Sequence, residues 1–144
     1  MARTILIAGA VAWLLAGIVG LGLAVMGTDW LRSRLPPLAI DVEALGGALT
    51  AMALGLIVLS GAHIAVVVGL RRERHWARSA GVLLASVLAA ASFGLAAAAI
   101  SSAAREAGYA LPLIGSALVA TLGTAGYALV AATLARELGS ESAS

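Results

Sequence analysis

His63 is the residue in this sequence with the strongest claim to chemistry. Apart from Tyr127, it is the only ionisable side chain deep inside a long apolar stretch. In a membrane such a side chain is costly unless it is paired, so it could bind a ligand or relay protons. The interpretation that we favour is a neutral residue whose hydrogen bond to a hydroxyl holds two helices together, which contributes about 1 kcal/mol. Both interpretations stay open.

Other polar side chains are expected at the depth of His63. A helix rises about 1.5 Å per residue, which puts His63 roughly 10 Å from the end of its apolar stretch at Leu70. Ser86, Thr124 and Tyr127 lie at about the same depth on the other stretches, and Ser60 lies one turn before His63 on the same face. We call this set the candidate polar layer. Its members are His63, Ser60, Ser86, Thr124 and Tyr127. We expect His63 to be neutral and hydrogen-bonded to Ser86 or Tyr127.

Several kinds of catalytic site are excluded by composition and placement. The chain contains no Cys, Lys, Asn or Gln, so it has no thiol nucleophile, disulfide or Schiff-base lysine. His63 and His75 lack carboxylates at ligand spacing, which argues against a zinc or haem site. Both histidines are expected on the inner half of the membrane, whereas Asp29, Asp41, Glu43 and Glu106 are expected outside, so no Ser-His-Asp set is expected to assemble. We expect no catalytic residue, no metal, no cofactor and no enzymatic activity.

Four charge-free apolar stretches must position these residues. They cover residues 4–26, 44–70, 79–104 and 111–135. Each exceeds the roughly 20 residues with which a helix crosses a bilayer, and a helix satisfies its own backbone hydrogen bonds in lipid. A composition of 62% hydrophobic and 11% charged residues is far from that of soluble domains. The sequence therefore predicts an all-α integral membrane four-helix bundle, one domain over residues 1–144.

The arginines predict the orientation of this bundle. Four of them lie in the connection 71–78, which the positive-inside rule assigns to the cytoplasm. Both termini are then cytoplasmic (N-in/C-in), the tail 137–144 is inside and the loop 27–43 is outside. The expected location is the plasma or inner membrane, as a multi-pass protein. Residues expected at the lipid headgroups are Arg71, Arg72, Arg74, Trp76 and Arg78. The net charge is only +2 and the arginines cluster in one connection between spans, which argues against nucleic acid; membrane lipids are the expected partners.

Small residues at every fourth position predict the helix contacts, because close backbone approach drives helix association in lipid. The longest such stripe holds Ser86, Ala90, Gly94, Ala98 and Ser102. Shorter stripes hold Ala16, Gly20 and Ala24, then Gly47, Ala51 and Gly55, and finally Ser116, Ala120, Thr124, Ala128 and Ala132. If the long stripe faces other helices of the bundle, Gly94→Leu should disrupt the fold more than Leu84→Ala.

The connection Arg71-Arg72-Glu73-Arg74-His75-Trp76-Ala77-Arg78 is followed by an Ala/Leu-rich helix. From the second helix onward, the chain resembles uncharacterised small bacterial four-helix integral membrane proteins with an Arg-x-Trp-Ala-Arg-like basic segment between helices two and three. The resemblance implies a four-helix fold and supplies no activity.

The expected function is structural or accessory, in a non-catalytic membrane protein that packs with itself, as a homo-oligomer, or with a larger membrane complex. The alternative is a small pore or carrier, either a holin-like oligomer or a small-solute transporter, in which the Ser/Thr stripes line a path.

Overall fold

The computed structural model describes residues 1–26, 42–105, 108 and 110–141, the side chains of 42–45 and 141 excepted. Four helices account for nearly all of this part of the chain. They are α1 (Ala2–Val25), α2 (Val42–Arg71), α3 (His75–Arg105) and α4 (Ala110–Glu141). All four are long and apolar enough to cross a membrane. The predicted all-α class with four candidate spans is therefore confirmed, and the chain is that of a multi-pass membrane protein.

The helices extend beyond the apolar stretches at the end that carries the basic segment. α3 begins at His75, so four residues of the predicted connection 71–78 form its first turn. α4 continues to Glu141, into the predicted tail 137–144. Arginine and glutamate are good helix formers, and a helix can leave the apolar zone without ending. Residues 27–41 of the predicted outer loop 27–43 and residues 142–144 of the tail lie outside the described residues.

The first of two compact units contains Ile7–Ala65, with α1 from Ile7 onward and α2 as far as Ala65. The two helices are antiparallel and approach closely at Gly17. A Cβ atom added there would lie 2.7 Å from the Ile57 Cγ1 and 3.0 Å from the Ala53 carbonyl oxygen. Glycine is therefore needed at this crossing, as is usual where helices pack in lipid.

The second unit contains Met1–Leu6 and Val66–Ser144, within which α3 and α4 pack antiparallel along their lengths. The buried face of α3 consists of Ala77, Gly81, Ala85, Leu88, Ala96 and Ala99. On α4 the buried residues include Ala117, Ala120, Tyr127, Val130 and Leu134. Spacings of three and four residues bring these small and medium side chains onto one face of each helix. Large apolar side chains such as Leu83, Phe93 and Leu122 remain exposed, which suits a lipid environment.

The turn between α2 and α3 reverses the chain within three residues. The Arg74 N–H donates to the Gly69 carbonyl at 3.0 Å and the Glu73 N–H to the Leu70 carbonyl at 3.4 Å. These two bonds form a Schellman motif, in which the residue after the helix adopts a left-handed conformation. Here that residue is Glu73, with φ of 51°. Glycine is the residue that usually occupies this position, because it has no Cβ to strain.

Candidate functional site

Ser60 connects α2 to α1 within the unit Ile7–Ala65. Its side chain is buried, and its Oγ donates a hydrogen bond of 2.8 Å to the Ala10 carbonyl. The carbonyl accepts this bond in addition to the one that it accepts within its own helix, since oxygen has two lone pairs. The contact joins two helices by a hydroxyl, which is the role that small polar residues often have in membrane bundles.

His63 is fully buried, with 0% of its surface exposed. Its Nδ1 lies 2.8 Å from the Leu59 carbonyl oxygen, one turn earlier on α2. A carbonyl only accepts hydrogen bonds, so Nδ1 carries the hydrogen in this contact. The imidazole is thus anchored to its own helix through one ring nitrogen.

The other members of the predicted layer belong to the unit Met1–Leu6 with Val66–Ser144. Tyr127 is buried, while Thr124 is half-buried and its Oγ1 donates to the Ala120 carbonyl at 2.9 Å. Ser86 is exposed and lies outside the buried face of α3, which runs through Ala85 instead. A count of depth gives the height of a residue along its helix but not the direction of its side chain, and one residue turns that direction by about 100°.

The same rotation separates the predicted stripes of α2 and α3 from the packed faces, whereas Gly20 of the α1 stripe and Ala120 of the α4 stripe are buried. Ser86, Ala90, Gly94 and Ala98 on α3 are exposed, as are Gly47, Ala51 and Gly55 on α2. No atom lies within 4 Å of a Cβ placed on Gly94. The interpretation of the α3 stripe as an intramolecular contact is wrong for this structure, and with it the expectation that Gly94→Leu disrupts the fold more than Leu84→Ala.

Most of the residues expected at the lipid headgroups are exposed, and Arg78 is the exception. Arg71, Arg72 and Arg74 are exposed, and Trp76 is 54% exposed with its ring beside Gly69. Such an arrangement suits the membrane interface, where aromatic rings and arginines are favoured. Arg78 differs, because it is half-buried and its Nε lies 3.9 Å from Oε2 of Glu137 on α4.

Sequence reasoning missed a charged cleft beside this pair. Arg3 on α1 donates from Nη2 to the Leu70 carbonyl at 3.1 Å, at the end of α2. The cleft between these groups has a volume of about 350 Å³. Its charged residues come from four separate parts of the chain, so no local spacing could indicate it. In the described part of the chain, no three His, Cys, Asp or Glu side chains come together as metal ligands.

No protein-family model, curated protein or solved structure matches this chain. The resemblance to small four-helix membrane proteins therefore rests on the basic segment and the helix pattern alone.

Proposed function

We propose that this chain is a non-catalytic structural or accessory integral membrane protein, which packs with itself or with a larger membrane complex. The observation that carries the proposal is the way in which its intramembrane polar side chains are used. Ser60 bonds the backbone of a neighbouring helix, and His63 contacts the backbone of its own. Ser116, Thr121 and Thr124 donate to carbonyls one turn earlier.

These bonds leave little polar chemistry for a substrate. Within the described residues, every buried side-chain nitrogen or oxygen has a hydrogen-bond partner. A substrate site usually directs a few polar groups into an apolar cavity, where the ligand satisfies them. The side chains of Ser60, Ser116, Thr121 and Thr124 bond backbone carbonyls instead, which supports a structural role.

A groove between α3 and α4 also favours a structural role over a pore or carrier. It has a volume of about 520 Å³, and Phe93, Ile100, Ser101 and Thr121 are among the residues that line it. The hydroxyls of Ser101 and Thr121 bond carbonyls of their own helices, so the groove presents mainly methyl and ring surface. Such a surface suits lipid chains better than water or ions. The alternative, a small pore or carrier, accordingly has less support.

The distribution of arginines supports an orientation with both termini in the cytoplasm. Arg3, Arg71, Arg72, Arg74, Arg78 and Arg136 would lie inside, and Arg32, Arg34 and Arg105 outside. An excess of arginine near the cytoplasmic ends of spans is the strongest determinant of topology in short-loop proteins. We assign the protein to the plasma or inner membrane on this basis.

The exposed stripe of α3 is the face that we assign to association. Ser86, Ala90, Gly94 and Ala98 run along the side of the helix away from its packed face. Small residues at this spacing let two helices approach closely in lipid, where apolar bulk alone gives no preference for protein over lipid. Association through this face would leave the packing of α3 on α4 unchanged.

Gly94→Leu is therefore expected to abolish self-association while the protein stays folded. Resonance energy transfer between donor- and acceptor-labelled copies in vesicles measures the association, and circular dichroism checks the fold. The matched control is Gly61→Leu, since Gly61 is also exposed with no atom within 4 Å of an added Cβ. Equal energy transfer in Gly94→Leu, Gly61→Leu and the original protein would reject this face as the site of self-association.

A further inference from the structure

The groove between α3 and α4 is a recess in the outer surface of this helix pair. Phe93 and Ile100 line it and are 66% and 58% exposed, and the small residues Ala97 and Ala104 line it beside them. Spacings of four and three residues place these four side chains on one face of α3. Large side chains thus alternate with small ones along a space of about 520 Å³.

The length of the groove matches one leaflet of a bilayer. From Phe93 to Ala104, eleven residues further on, α3 rises about 16 Å at about 1.5 Å per residue. The hydrocarbon core is about 30 Å thick, so one leaflet contributes about 15 Å. α3 and α4 approach closely near Phe93, where a Cβ on Gly123 would lie 3.4 Å from the Ser92 Oγ. At the other end α3 reaches Arg105, which marks the limit of the span. The groove therefore extends from headgroup depth towards the middle of the membrane.

The hydroxyl groups that line the groove are bonded to the backbone. Ser101, Thr121 and Thr124 each donate to a carbonyl one turn earlier on their own helix, at 2.8 to 2.9 Å. A buried hydroxyl is costly only when it has no hydrogen bond. A hydrocarbon chain can therefore fill the groove without leaving these hydroxyls unpaired.

Arg105 lies at the headgroup end of the groove. It is the exposed last residue of α3, and it follows the lining residue Ser101 by one turn on the same side of the helix. A guanidinium can bond one phosphate group through two parallel N–H donors. The groove and the arginine thus suit the two parts of a phospholipid, an acyl chain and a phosphate.

We propose that this groove binds a phospholipid, with one acyl chain along residues 93–104 and the phosphate at Arg105. In the recess the chain contacts both helices, so it makes more dispersion contacts than it would on the convex surface of one helix. Gly94 and Ala98 of the exposed α3 stripe do not line the groove, so lipid binding and self-association use different residues. This inference goes beyond the structural role proposed above and does not depend on it.

Native mass spectrometry of the detergent-solubilised protein with added lipid tests the proposal. The probes are dimyristoyl phosphatidylglycerol and dimyristoylglycerol, which carry the same acyl chains, and only the first carries a phosphate. We expect the phospholipid to bind about tenfold more tightly, which corresponds to one charge-assisted hydrogen bond. Equal binding of the two lipids would overturn the proposal.

Variants examine the chain and the phosphate separately. Ala97→Leu fills the groove, so we expect it to weaken the binding of both lipids about tenfold. Its control is Ala91→Leu, because Ala91 is exposed on α3 and does not line the groove. Arg105→Gln is expected to weaken only the phospholipid, again about tenfold. Its control is Arg72→Gln, since Arg72 is exposed in the turn at the opposite end of α3.

Circular dichroism checks that the variants fold. If Ala97→Leu proves unfolded, Ala104→Leu fills the headgroup end of the same groove at an exposed position. Unchanged lipid binding in the folded groove-filling variant, or unchanged phospholipid binding in Arg105→Gln, would overturn the proposal. Dimers that carry no lipid and that the groove-filling variant abolishes would assign the groove to a second copy of the chain and also overturn it.

Discussion

Gly69→Ala is expected to lower the free energy of unfolding by about 2 kcal/mol, a typical cost of forcing extra bulk into a packed site. A Cβ at position 69 would lie 2.5 Å from the Ala77 Cβ and 3.1 Å from the Trp76 ring. The Ala77 Cβ is fixed to its backbone and cannot rotate away, so the end of α2 and the start of α3 would have to separate. Titration with sodium dodecyl sulfate in mixed micelles, followed by circular dichroism, measures the loss.

Gly61→Ala on the same helix is the matched control. No atom lies within 4 Å of a Cβ placed there, and Gly61 is exposed. Alanine is a better helix former than glycine, so we expect a change within about 1 kcal/mol that favours the folded state. Equal destabilisation by both substitutions would mean that the α2–α3 corner is not closely packed in the membrane.

His63→Ala is expected to cost about 3 kcal/mol, because it removes most of a fully buried side chain and leaves a cavity. His63→Leu restores most of the volume but not the contact with the Leu59 carbonyl. We therefore expect its stability to lie between those of the original protein and His63→Ala. The same titration in mixed micelles compares all three proteins.

Ile64→Ala provides the comparison for His63→Ala. Ile64 is the next residue on α2 and is 51% exposed, so its truncation leaves no closed cavity. We expect a loss clearly smaller than that of His63→Ala. If the two truncations cost the same, His63 does not lie in a packed interior.

The spans could be predicted from sequence because each is a long apolar stretch that contains no charged residue. The apolar stretch 4–26 corresponds to α1 (Ala2–Val25), and Arg105, where the third apolar stretch stops, is also where α3 ends. Charges cannot enter the hydrocarbon without large cost, so charged residues mark the limits of a span. They do not mark the ends of the helix itself, which is why α4 runs beyond residue 135.

The rotation of each helix could not be predicted in the same way. Soluble helices reveal their buried face by a polar face opposite to it, and these helices are apolar on all sides. In α3, alanine and glycine are so frequent that several stripes fit a spacing of four residues. The packed face combines spacings of three and four through Gly81, Ala85 and Leu88, and the stripe through Gly94 lies on the other side.

The polar cleft had no sequence signal for a different reason. Arg78 and Glu137 are 59 residues apart, and the pairing of α3 with α4 brings them together. Ser60 and Ala10 likewise meet only through the packing of α2 on α1. Depth along the helices predicted that Ser86, Thr124 and Tyr127 lie at the level of His63, but contacts across helices depend on rotations that only the structure supplies.

Solute flux through protein-containing vesicles tests the central claim most directly, namely that the polar side chains of these spans have a structural role and do not conduct. Purified protein is reconstituted at high density, and the decay of a pH gradient and the release of an entrapped small dye are followed. We predict decay and release indistinguishable from those of protein-free vesicles. Flux that rises with the amount of protein, and that His63→Leu abolishes while the fold is retained, would contradict the account and favour a pore or carrier.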